Sequence, residues 1–155
     1  MQGRMKKHQL TDIQVINILE KEPVGRIGTL NSNFTPYIVP VHFVYCNDKI
    51  YIHGLSKGQK IANIQSNPSV CFEVDCMHGL IMHEEPCHVN TEYQSVILFG
   101  TARLINDAIS KKEVLYHIVN KYTPSLIGKE LPLSVIDKTT IIEIAINNMT
   151  GKYYK

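Results

Sequence analysis

Apolar residues in the first part of the chain follow helical spacing, and from residue 24 onward they follow the two-residue alternation of strands. Val15, Ile16, Ile18 and Leu19 form a stripe that stops at Lys21-Glu22-Pro23. Thr11 and Gln14 have the spacing of a capping box, and Leu10 can staple onto Val15. Strands rich in β-branched and aromatic residues are predicted over 24–30, 37–45, 49–54 and 69–75. The turn Cys46-Asn47-Asp48-Lys49 should join two of them as a hairpin. A short helix over 58–66 would turn Ile61 and Ile64 inward. A long strand is expected over 92–104, a helix over 110–122 ending before Pro124, and a last strand over 139–146. The sum is six strands and three helices. Consecutive strands are mostly joined by turns, so the sheet should be antiparallel and curled into a small barrel with helices outside it.

The pattern runs through all 155 residues without an internal repeat, and the whole chain, 1–155, reads as one domain. A formal net charge of +2, with scattered basic residues, gives no nucleic-acid footprint. No apolar stretch is long enough to span a bilayer, and no hydrophobic region follows the basic head as a signal peptide requires. Four cysteines without a secretory signal point to a reducing cytoplasm.

Two segments carry candidate chemistry. In Tyr51-Ile52-His53-Gly54-Leu55-Ser56-Lys57-Gly58-Gln59-Lys60 a strand ends and a helix starts, with Ser56 and Gln59 at capping-box spacing. Free N–H groups at a helix start attract anions, glycine lets backbone approach, and lysine adds charge. This is a candidate phosphate seat, weighed against a plain capped surface helix. In Pro36–Val41 and on to Tyr45, Pro40 interrupts an apolar run, which implies a sheet edge or a break in the ladder. His53 is the histidine best placed for proton or hydrogen-bond chemistry, because it precedes the phosphate seat.

These segments, with Asn67-Pro68-Ser69-Val70-Cys71-Phe72, Tyr93-Gln94-Ser95-Val96 leading to Gly100, and the finish Thr150-Gly151-Lys152, resemble the pyridoxamine-phosphate-oxidase-like split-barrel flavoproteins. The likeness is strongest to their nitroimidazole-resistance (Nim-like) branch. The resemblance implies an antiparallel six-stranded split β-barrel and a homodimer binding FMN at the subunit interface. It further implies that Lys60 binds the FMN phosphate with Gly58 and Gln59, and that Val39, Pro40 and Val41 lie along the flavin ring. His53 and Gly54 would sit near the flavin, and Tyr93 and Ser95 would complete the site. Val39, Val41 and Tyr93 are expected to supply an apolar slot. Ser95 stands where oxidase relatives carry glutamine, and Gln59 where they carry arginine. The chain has no Trp for the oxidases' C-terminal substrate contact. Pyridoxamine phosphate is therefore not the expected substrate. The implied reaction passes hydride or electrons from a nicotinamide cofactor through FMN to a small acceptor such as a nitroaromatic.

The stretch from Cys76 to His88 holds two cysteines, three histidines and two glutamates. Its spacing completes no familiar zinc pairing, and Pro86-Cys87 fits the resemblance without a metal. A loop covering the flavin site or the dimer seam is expected there, with no metal ligand. Two other classes remain: a non-enzymatic haem- or flavin-binding protein, and a metal or thiol sensor built on this loop.

Overall fold

The computed structural model describes residues 7–155. Its first helix, α1 (Asp12–Lys21), starts as the sequence predicts. Gln14 N–H donates to Thr11 Oγ1 at 3.4 Å and Thr11 N–H donates to Gln14 Oε1 at 2.9 Å. Val15, Ile18 and Leu19 are buried. The helix lies so close to the last strand that a Cβ on Gly151 would stand 2.6 Å from Val15 Cγ2. Only glycine fits there.

Seven strands follow: β1 (Gly25–Leu30), β2 (Pro36–Val41), β3 (Val44–Cys46), β4 (Lys49–Leu55), β5 (Ser69–Ile81), β6 (Asn90–Ile105) and β7 (Thr139–Tyr154). They form one antiparallel sheet in the order β2-β1-β5-β6-β7-β4-β3. The helices are α2 (Gln59–Ser66) between β4 and β5, then α3 (Ala108–Tyr122) and α4 (Leu133–Lys138) between β6 and β7.

The expected strand over 37–45 is two strands, which corrects the count from six to seven. At Phe43 the chain passes from one edge of the sheet to the other. Phe43 N–H donates to Tyr122 Oη at 2.8 Å, and its carbonyl lies 2.8 Å from the same hydroxyl. The backbone is thus bonded to a side chain of α3 instead of a neighbouring strand. The Phe43 ring fills the interior edge-on to Phe72, with centroids 5.0 Å apart.

β3 and β4 form the expected hairpin. Its two turn residues, Asn47 and Asp48, both have positive φ, 51° and 57°, the requirement of a two-residue turn matched to strand twist. α4 was not foreseen; among the described residues it is a fourth α-helix beside the three expected. Its one buried side chain is Ile136. β5 and β7 run well past their predicted ends, so the finish Thr150–Lys152 lies within β7.

The main core lies inside the barrel, where Ile27, Ile50, Ile52, Phe72, Val74, Leu98, Ile142 and Ile144 are fully enclosed. A smaller cluster of Ile105, Val114 and Ile141 sits outside the sheet and includes Val114 of α3. No described helix is long and apolar enough to cross a membrane.

Candidate cofactor site

The corner between β4 and α2 holds the predicted phosphate seat. Ser56 does not cap the helix, contrary to the capping-box expectation. Gly58 is the N-cap, at φ 137°, and no side chain caps it. The reason is conformational: the chain enters α2 through a backbone geometry that only glycine adopts readily, which leaves Ser56 outside the helix. The start of α2 is therefore open. Gln59 reaches forward along the helix instead, donating from Nε2 to Asn63 Oδ1 at 2.8 Å.

Asn63, which the sequence reading passed over between Ile61 and Ile64, is buried. It donates to Thr29 Oγ1 at 2.9 Å and to Asn31 Oδ1 at 3.0 Å, fixing α2 to β1. Lys60 reaches back over the strand end, where a Cβ on Gly54 would stand 3.5 Å from its Nζ. Lys60 enters no ion pair among the described residues.

His53 Nδ1 is buried without a hydrogen-bond partner. Burial pushes the His53 pKa below the usual imidazole value, and electrostatic interaction with His42 and Lys60 acts in the same direction. The imidazole is held neutral. His42 itself stacks on Tyr122 with centroids 4.6 Å apart.

β2 is an edge strand, as Pro40 requires. Val39 and Val41 pack onto the main core, while Pro40 is exposed on the outer face. The valine side chains therefore do not wall an outer slot; on that face the segment presents Pro40 and backbone. Cross-strand register places Pro40, Arg26, Glu73, Ile97 and Thr150 in one row. Ile38, Gly28, Cys71, Phe99 and Asn148 form the next row. Tyr93 and Ser95 continue this face along β6. Ser95 sits opposite Lys152, whose Nζ lies 5.4 Å from the Tyr93 ring centre.

Apart from Val39, Pro40 and Val41 on the edge strand β2, the predicted site residues fall into two groups. His53, Gly54, Gly58, Gln59 and Lys60 gather at one end of the barrel. Tyr93 and Ser95 lie toward the other. Ser95 pairs with Lys152 and His53 with Ile141, and 152 − 141 is 11 residues along β7, roughly 36 Å of strand at ~3.3 Å per residue. Measured along β7, the two groups are set well apart.

A polar cavity of about 360 Å³ beside α3 contains none of the predicted residues. Tyr51, Arg103, His117, Glu143 and Cys46 line it. Glu143 is buried yet paired, 2.6 Å from Arg103 Nε and 3.2 Å from Lys49 Nζ. The Arg103 hydrogen bond, aided by Lys49, holds its carboxyl below the usual range despite burial. Burial first and Glu143 second push the Tyr51 phenol up to about 12. The one signal in sequence was a glutamate inside the isoleucine-rich final strand.

The Cys/His stretch is only partly loop. Cys76 and His78 belong to β5, and the loop proper follows Ile81. Burial and the nearby Glu22 raise the Cys76 thiol pKa, the opposite of an activated thiolate.

Compared with known proteins, residues 11–153 match the family described as pyridoxamine 5'-phosphate oxidase. No curated protein matches the chain. Among solved structures, a candidate 5-nitroimidazole antibiotic resistance protein from Bacteroides thetaiotaomicron is 25% identical. It superposes at a TM-score of 0.81 over 94% of this chain and 86% of that one. The flavocytochrome Anf3 from Azotobacter vinelandii is 24% identical, at 0.87 over 100% and 72%. The FAD and haem binding protein from Mycobacterium smegmatis is 18% identical, at 0.87 over 96% and 74%. These last two bear on fold alone. With the split-barrel topology and a match over nearly the whole chain, this protein belongs to the pyridoxamine 5'-phosphate oxidase family.

Proposed function

We propose that this protein is an FMN-binding, homodimeric oxidoreductase that accepts reducing equivalents from a nicotinamide cofactor and delivers them to a small acceptor such as a nitroaromatic. The observation that carries the reading is the ammonium of Lys60, in no ion pair among the described residues, beside the uncapped start of α2. A terminal phosphate is the group such a corner satisfies best, through N–H donors, the helix dipole and a charged hydrogen bond. The orphaned Nδ1 of neutral His53 supplies a further polar contact there.

Lys60, Gly58 and the first amides of α2 would hold the phosphate, and Pro40 with its backbone neighbours would border the ring. Bound flavin supplies the hydride and electron chemistry. The protein's part is to orient it, exclude water and place His53 within reach of a proton.

The dimer reading rests on the separation of the two residue groups. If Tyr93 and Ser95 serve the same cofactor as Lys60, a second copy must contribute one group. The outer face offers a seam for this, with Ile38 65%, Phe99 56% and Ile97 37% exposed in neighbouring rows. Apolar side chains so grouped on a sheet face suit an isologous interface. The likeness to the Bacteroides protein supports a nitroaromatic acceptor. Four free cysteines suit a reducing cytoplasm.

The test is the chromophore. The purified protein, or protein incubated with FMN and desalted, should be yellow, and the acid-released ligand should have the mass of FMN. The same preparation should oxidise a reduced nicotinamide when a nitroaromatic is added. A protein that stays colourless, or one carrying haem in place of flavin, would overturn the proposal.

A further inference from the structure

The loop between β5 and β6 gathers two imidazoles and a carboxylate. One donor atom from each of His83, Glu85 and His88 lies within 4.8 Å of the others. We propose that these three side chains bind a divalent transition-metal ion of the zinc class, one per chain, with a coordination position left open to water or a second ligand.

The loop is built to converge. Pro86 opens a single 3₁₀ turn, Pro86–His88, and His88 N–H donates to the Glu85 carbonyl at 2.9 Å. Glu85 N–H donates to His83 Nδ1 at 3.0 Å, which folds residue 83 over the turn. His88 Nδ1 stands 2.8 Å from Glu85 Oε2, and the two imidazole rings meet edge-on, 4.8 Å apart. Positions 83, 85 and 88 therefore project to one side, although their spacing completes no familiar sequence motif.

Two imidazoles and one carboxylate form the donor set of an open three-ligand site. Around zinc at its usual bond lengths, tetrahedral donors would stand about 3.3 Å apart. All three side chains are exposed, so rotation about their own bonds closes the remaining distance without moving the barrel. Imidazole donors favour zinc, copper, nickel or cobalt over calcium and magnesium.

Charge along the chain favours a cation here. Between Lys60 and Arg103 the sequence carries Glu73, Asp75, Glu84, Glu85 and Glu92 but no lysine or arginine. Arg26 pairs with both Glu73 and Asp75, and Glu84 and Glu85 remain on the loop. The site differs from the Cys76-to-His88 cluster that the spacing first brings to mind. Cys76 and His78 are strand residues, and Cys76 faces Glu22. The proposal does not rest on flavin binding, because none of its three residues is among those assigned to the flavin.

Zinc titration of the full chain by calorimetry, under reducing conditions, tests it. One ion per chain should bind. His83→Ala, Glu85→Gln and His88→Ala should each weaken affinity by roughly tenfold or more, at least the loss seen on removing supporting partners of metal ligands. Cys76→Ser and His78→Ala should bind as wild type. FMN uptake should be unchanged in every variant. Cobalt(II) added to wild type gives a second reading that needs no variant: d–d absorption without a thiolate charge-transfer band. Absence of saturable one-to-one binding would overturn the proposal. So would His83→Ala and His88→Ala variants that bind normally, loss of binding in Cys76→Ser, or a thiolate band with cobalt.

Discussion

Replacing Lys60 with alanine isolates the phosphate contact. Lys60 enters no ion pair among the described residues, and its Nζ lies over a glycine instead of a partner. Its removal should therefore leave the urea midpoint of the ligand-free protein nearly unchanged. A hydrogen bond to a charged group contributes about 1.5–3 kcal/mol. At about 1.4 kcal/mol per factor of ten, the loss is about 10- to 150-fold in FMN affinity. Riboflavin has the same ring and ribityl chain but no phosphate, so its affinity should not change. The assay is flavin fluorescence quenching, run with both ligands on wild type, Lys60→Ala and Lys60→Arg. The arginine variant should retain most of the FMN preference because it keeps the charge. Equal losses for FMN and riboflavin would place Lys60 at the ring or in the fold, and an unchanged FMN affinity would remove it from the site. Either result refutes the reasoning.

Other perturbations test the scaffold and the electrostatics around the site. Tyr122→Phe should lower stability by about 1–3 kcal/mol in urea unfolding, because the buried Phe43 N–H would lose its acceptor. Gly100→Ala should cost about 1–3 kcal/mol, since its Cβ would meet the Ala145 carbonyl oxygen at 2.5 Å and Ile144 Cγ2 at 2.6 Å; a variant of wild-type stability would contradict that packing. The folded-state pKa of His53 lies below its unfolded value, so the unfolded chain takes up the proton first as pH falls through about 6.5. Wild type should accordingly lose stability relative to His53→Gln between pH 7.5 and 5.5, and parallel stability curves would show that His53 is not desolvated.

The sequence alone was enough for the elements whose causes are local. The Thr11–Gln14 capping box, the Asn47-Asp48 turn and the inward isoleucines of α2 each depend on residues a few positions apart, and each forms as expected. The edge position of Pro40 was equally legible, because a missing N–H leaves few alternatives.

Contacts between residues distant in sequence needed the tertiary structure. The break at Phe43 depends on a hydroxyl 79 positions away, and no pattern in residues 37–45 announces it. Alternation showed that Val39 and Val41 share a side, but only the closed barrel shows that this side is the core. The two groups of predicted site residues, and the His83–Glu85–His88 convergence, are likewise set by strand register and by one proline-led turn. Periodicity records which side chains share a face; what that face meets is fixed when distant strands pair and the sheet curls.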